Sequence, residues 1–243
     1  MRSAVSLIFL SVVLGTAGVL ATVWTVVSLG RGEFLTTLVV VGAAVFAFGL
    51  IAVTMRVGNQ LVTVRVDPDG EGTTFRPDRV VDVCSMTATV GMYVAMVLFA
   101  IFAPLDMVDI PSPRGDEKYF VLTAIVGVVV GLPTMRQILT KRGMSYLRLD
   151  AEGFETGNTT SSVYRTWDDV TDVSDRPAPD RRPVNTGSTY ITTTDGSTRL
   201  VATDWYTPGG HAMRDLVRYY WQHPECREEL TDHRAAKRLR GVG

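Results

Sequence analysis

Four stretches of the chain carry no Asp, Glu, Lys, Arg or His: residues 4–29, 34–55, 83–103 and 119–135. A helix rises about 1.5 Å per residue, so runs of this length approach or exceed a ~30 Å hydrocarbon layer. One such run could be a buried core helix, but four of them before residue 138 predict four transmembrane helices. The first run holds 14 Leu, Ile, Val or Phe residues. That is roughly −4 to −8 kcal/mol of insertion free energy with no charge to oppose it. Val19, Leu20 and Ala21 resemble a signal-peptide processing site. The apolar run continues through Leu29, however, so the segment reads as a retained span. The fourth run is the shortest, and Pro133 interrupts its end; its helix is drawn on to about residue 138.

Lys and Arg in the connections set the expected orientation. With the N-terminus inside, the inner segments carry Arg2, Arg56, Arg65, Arg76, Arg79, Arg136, Lys141, Arg142 and Arg148. The outer loops carry only Arg31, Arg114 and Lys118. Both termini are therefore expected in the cytoplasm. The chain holds 21 Arg against 3 Lys and is rich in Val, Ala and Gly, a codon signature of a GC-rich bacterial genome. The expected location is thus a bacterial plasma membrane, with the lipid bilayer as the first partner. Gly30, Arg31, Gly32 and Glu33 alone separate the first two runs, which predicts a tight helical hairpin. Residues 104–118 form a short outer connector, acidic through Asp106, Asp109, Asp116 and Glu117 and stiffened by Pro111 and Pro113.

Transport of ions or protons needs ionisable groups at membrane depth, and the four runs contain none. A channel or transporter subunit is therefore the alternative reading and not the first. The runs do contain small residues at helix-packing spacing: Gly127 with Gly131, Gly91 with Ala95, and Ala43 with Ala47. Such pairs let helix backbones approach closely in lipid. They are expected to pack the bundle internally, with self-association as the other use of the same face. A net charge of −1 excludes a strongly basic nucleic-acid binder. The two cysteines, Cys84 and Cys226, lie far apart and support no disulfide framework.

After residue 141 the rhythm changes. Short alternating runs separated by turn residues predict strands at 145–149, 154–156, 162–166, 167–173, 190–194 and 198–202. Asp195-Gly196 is a strong hairpin turn, and a proline-rich loop spans residues 175–186. Met213, Leu216, Val217, Tyr220 and Trp221 lie on one face of a helix that should stop before Pro224. A second, charged helix is expected from Pro224 to about Leu239, making residues 224–243 a charged tail. The inner loop 56–82 alternates apolar and polar side chains over residues 60–66. It turns at Asp67-Pro68-Asp69-Gly70, and could pair with residues 73–76. The expected fold is four transmembrane helices followed by an α+β domain, an antiparallel sheet capped by a C-terminal helix.

Three segments carry a family resemblance: Leu147 through Phe154, Arg165 through Val173 with its Trp167-Asp168-Asp169 element, and the Asp195-Gly196 hairpin. Together they resemble bacterial PH-like (pleckstrin-homology-like) domains of actinobacterial type, over about residues 144–223. The resemblance implies a binding or assembly module beside a membrane and no enzymatic role. Phosphoinositide-binding relatives carry a basic cluster between their first two strands; here that turn, Asp150-Ala151-Glu152-Gly153, is acidic. Trp167, Leu216, Val217 and Tyr220 are expected in the domain core.

No constellation of catalytic type stands out. Asp168 and Asp169 are adjacent and would point apart on a regular element. His223, Cys226 and His233 lack the paired spacing of a zinc site, and neither a cofactor nor a metal is expected. Two basic groups are candidate contacts for lipid headgroups or a protein partner: Arg176, Arg181 and Arg182 in the proline-rich loop, and Arg234, Lys237, Arg238 and Arg240 near the C-terminus. The expected function is that of a non-enzymatic scaffold or accessory subunit whose cytoplasmic domain binds a protein or the membrane surface.

Overall fold

The computed structural model describes residues 2–110, 117–141, 143–158, 162–176 and 187–241. The chain forms two compact units, and it passes between them three times. The first unit comprises residues 1–55 and 83–142, the second residues 56–82 and 143–243.

The first unit is built on four helices: α1 (Arg2–Gly30), α2 (Phe34–Gly58), α3 (Arg79–Phe102) and α4 (Glu117–Lys141). All four are long and apolar enough to cross a membrane. All four extend past the uncharged runs, so that Arg2, Arg56, Arg79 and Lys141 are helical. α4 also continues through Pro133. A proline there removes one intrahelical hydrogen bond, which neighbouring groups can offset in a bundle. Between α1 and α2 the chain reverses at Gly32, whose φ of 78° needs a residue without Cβ.

Small residues set the helix spacing. A Cβ on Gly42 would lie 2.5 Å from the carbonyl oxygen of Gly91 and 2.7 Å from the Cβ of Ala95. One on Gly49 would lie 2.7 Å from the Cβ of Ala88, so α2 and α3 meet at both levels with nothing larger than a methyl between them. On α4, Gly127 faces the sulfur of Met96 and Gly131 faces the ring of Tyr93. Gly91, Ala95, Gly127 and Gly131 are thus all occupied by contacts inside the bundle. Much of the remaining helix surface is apolar and exposed, including Leu20, Val23, Phe34, Val129 and Val130.

The second unit contains two antiparallel sheets. The larger has the order β1 (Arg65–Pro68), β2 (Gly72–Arg76), β3 (Tyr146–Asp150), β4 (Gly153–Gly157), β5 (Ser162–Thr166). The smaller has the order β6 (Val170–Ser174), β7 (Thr189–Thr193), β8 (Thr198–Val201). The inner loop therefore joins the sheet, with Gly72 opposite Asp150 and Phe75 opposite Leu147. The domain begins at residue 56 in sequence and not at 144. The first strand is Arg65–Pro68, five residues later than the alternation suggested, because the Thr63 amide is bonded to Asp78 (3.0 Å) and not to a ladder. Pro68 is tolerated because β1 is an edge strand.

Strand side chains Phe75, Leu147, Leu149, Phe154 and Ile191 point into one core, where they meet Trp167. Helix α5 (His211–Gln222) closes that core with Met213, Leu216, Val217 and Tyr220 at the 3–4 residue spacing of one helical face. Burying each such side chain is worth about 1.5–3 kcal/mol. Beyond α5 the expected single charged helix is broken in two: a 3₁₀ segment Pro224–Thr231, then α6 (Arg234–Gly241). The break arises because Leu230 is fully buried and its carbonyl accepts the Thr73 hydroxyl at 2.5 Å. The carboxylate of Asp232 then restarts the helix by accepting the Arg234 amide at 2.7 Å. Ala235 and Leu239 of α6 are buried in the same core, so the C-terminal segment is docked and not a loose tail.

Candidate functional site

Glycine and tyrosine shape a cleft in the second unit. Tyr146 stands opposite Gly157 across the β3–β4 pair. A Cβ at Gly157 would collide with the Tyr146 ring, so glycine lets the ring lie flat across the neighbouring strand. The ring forms one wall of a cleft of about 180 Å³. Thr156 and Asn158 flank that wall; Leu200 and Ala202 at the end of β8, with Trp205 and Tyr206, form the other. Leu200 is partly exposed at the rim. The floor is hydroxylic: Ser145 and Tyr206 share a hydrogen bond of 3.2 Å. Burial pushes the Tyr206 hydroxyl well above the ordinary tyrosine range. Tyr146 is raised to about 12 by burial and by donating to Glu155 at 2.5 Å. Both phenols therefore stay neutral donors at any physiological pH. Among the described residues none that lines the cleft carries a charge.

Two buried aspartates hold the cleft's backbone in place. Asp78 is 2% exposed. Its carboxylate accepts Nε and Nη2 of Arg56 at 3.1 and 3.2 Å and the amide and hydroxyl of Thr63 at 3.0 and 2.9 Å. It also caps α3, accepting the amides of Val80 (2.9 Å) and Val81 (3.3 Å). Burial alone would raise its pKa, but the bonds from Arg56 and Thr63 outweigh that cost and hold it down to about 2. The Asp78 amide donates to the carbonyl of Trp205 at 2.9 Å, which fixes the start of one cleft wall. Asp82 accepts Arg65 Nη2 at 2.6 Å and the amide of Met144 at 2.9 Å, which fixes the start of the other. Neither aspartate figured in the sequence reading. Asp78 had a usable signal, an N-cap residue just before an apolar run; Asp82 and the cleft depend on pairings too distant for any local pattern.

The candidate cations are dispersed. Arg234 pairs with Asp232 at 2.7 Å. Arg238 makes two 2.7 Å bonds to Glu229 and lies 4.0 Å over the Tyr219 ring. Lys237, Arg240 and Arg176 are exposed, while Arg181 and Arg182 lie outside the described residues. Other arginines serve the fold. Arg218 donates twice to the carbonyl of Val173 on the β6 edge, and Arg227 caps the end of α5 through the carbonyls of Tyr220 and Trp221. Arg227 also stacks 5.2 Å over Trp167, whose indole N–H donates to the Asp150 carbonyl at 2.9 Å. Of the residues His223, Cys226 and His233, Cys226 accepts the Tyr219 hydroxyl and His223 bonds to Glu225. Among the described residues no group of three or more His, Cys, Asp or Glu is placed to hold a metal.

No family model matches the chain, and no curated protein or solved structure is detectably similar to it.

Proposed function

We propose that this chain is a non-enzymatic multi-pass protein of a bacterial plasma membrane, with both termini cytoplasmic and a PH-like second unit that docks a protein partner. The observation that carries the reading is the uncharged, aromatic-walled cleft beside the β8 edge. Its size suits one large apolar side chain of a partner. A lipid phosphate would need cations, and the described residues of the lining offer none. Meander order in two antiparallel sheets, with a helix closing the core, supports the PH-like assignment. Lys237, Arg240 and Arg176 remain available for a weaker contact with an anionic inner leaflet.

The test is affinity purification of the full chain from its native membrane, wild type against Leu200→Asp. A partner retained by the wild type and lost with Leu200→Asp supports docking at the cleft. A chain that retains no protein, or loses none on substitution, refutes it. Binding of the purified chain to anionic vesicles, undiminished by Leu200→Asp, would favour the lipid-surface reading instead. Orientation is tested with Lys237→Cys: a membrane-impermeant maleimide should react only after the cells are opened.

A further inference from the structure

Between the helices of the first unit lies a half-open apolar cavity of about 290 Å³. Its walls come from Val39 and Ala43 on α2, Met92, Met96 and Phe99 on α3, and Phe120 and Ala124 on α4. Met92, Met96 and Phe99 are spaced for one face of their helix. Val108 and Ile110, from the segment after α3, also line the cavity, and Asp109 between them is held by other contacts. The Asp109 amide donates to the Thr36 hydroxyl at 3.0 Å, its carbonyl accepts the Trp24 indole N–H at 3.2 Å, and its carboxylate lies 3.6 Å from Arg31. Three attachments on one residue hold two apolar neighbours at the cavity.

Water is a poor occupant. An ordered water needs two to four polar partners. Among the described residues the lining holds one hydroxyl, that of Thr123, which already donates to the carbonyl of Tyr119 at 2.7 Å. Leaving the space empty forfeits dispersion contacts all around it. It is about twice the ~150 Å³ of apolar cavities that stay dry and take benzene-sized guests. That is room for a guest about twice the size of benzene, such as a segment of alkyl chain. Met92 and Met96 supply flexible, polarisable walls that adapt to a chain of irregular shape.

We infer that this cavity is a binding site for one acyl chain of a bilayer lipid. The inference rests on the membrane reading above, because the exposed surface of these helices is apolar and a bilayer bathes it in such chains. Val108 and Ile110 are held at the site through Asp109, and the Met96–Gly127 contact closes α3 against α4 beside it.

The test uses the full chain in lipid nanodiscs containing a trace of phosphatidylcholine with a diazirine in its acyl chain. After irradiation, labelled residues are mapped by mass spectrometry. Met92, Met96 and Phe120 should be labelled well above Leu20 and Val23, which face outward on α1. Ala124→Phe, which fills the cavity, should cut labelling at Met92 and Met96 about fivefold, equivalent to about 1 kcal/mol of chain affinity. Val130→Phe, on the exposed face of α4, should leave it unchanged. If Ala124→Phe does not incorporate, Ala43→Leu carries the same comparison. Labelling of the cavity no stronger than that of α1, or unaffected by filling, overturns the site. A chain that labels nowhere, α1 included, refutes bilayer insertion itself, so the two failures are distinct.

Discussion

Asp78 is the residue whose loss should cost the second unit most for its size. Asp78→Ala strands Arg56, the amide and hydroxyl of Thr63, and the first amides of α3. Removing one member of a buried ion pair costs about 3–5 kcal/mol. The Arg56 side chain is 32% exposed, so water partly solvates the orphaned guanidinium. The expected loss is therefore at the lower end, about 3 kcal/mol. For a chain of this size that is a fall in Tm of roughly 6–12 °C. Three of the four tryptophans, Trp167, Trp205 and Trp221, lie in the second unit. Intrinsic fluorescence of the detergent-solubilised chain therefore reads its unfolding. In a double-mutant cycle with Arg56→Ala, coupling of about 1–2 kcal/mol is expected. Additive effects would refute the claim that this pair organises the cluster.

The same residue predicts a pH dependence. Its folded pKa of about 2 lies below the model-compound value of 3.8. The carboxylate's contribution is thus complete above pH 4 and is lost as pH falls toward 2. At about 1.4 kcal/mol per pKa unit it amounts to about 2 kcal/mol at neutral pH. Asp78→Asn should be less stable than wild type at pH 7, and the gap should close as pH falls from 4 to 2. A gap that stays constant over that window would show that the stabilisation does not come from ionisation.

Three further substitutions follow from close contacts. Trp167→Phe keeps the ring in the core but deletes the bond to the Asp150 carbonyl; a loss of about 1–2 kcal/mol is expected by thermal unfolding. Gly157→Val forces the Tyr146 ring off its neighbour, which should reshape the cleft, cost about 1–3 kcal/mol and change the near-UV circular dichroism. Gly42→Leu drives a side chain into the Gly91 carbonyl and should abolish a monodisperse elution profile, whereas Val41→Leu, on an exposed position of the same helix, should not.

The membrane helices were legible because absence of charge over twenty residues is a compositional signal that needs no tertiary context. Their ends were less so: Arg56, Arg79 and Lys141 are charged yet helical. Charge marks where a chain leaves hydrocarbon, not where its hydrogen-bond ladder stops. Most strands from Tyr146 onward lie where the alternation placed them, but Trp167–Asp169, expected as strand, forms a 3₁₀ turn before β6, whose register shifts between Val170 and Asp172. β1 starts later than its alternation, because Thr63 is spent on a residue fifteen positions away. The C-terminal segment misled for a related reason. Leu230, Ala235 and Leu239 are sparse apolar residues in a charged run, and only the assembled core shows that they anchor it. The cleft was invisible, since its walls come from two separate sheets and are fixed by the distant contacts of Asp78 and Asp82.

The β2–β3 pairing, from Gly72 against Asp150 to Phe75 against Leu147, reaches across the whole of α3 and α4. Closing a free loop of that length would cost about 4 kcal/mol in chain entropy. Two antiparallel helices of 24 and 25 residues return the chain close to its departure point and so reduce that cost. Asp82 marks the closure: it sits in the first turn of α3, and its carboxylate accepts the amide of Met144 just after α4. The second unit is therefore discontinuous in sequence, and the strand pairing that completes it depends on the intervening helical pair returning the chain to Asp82.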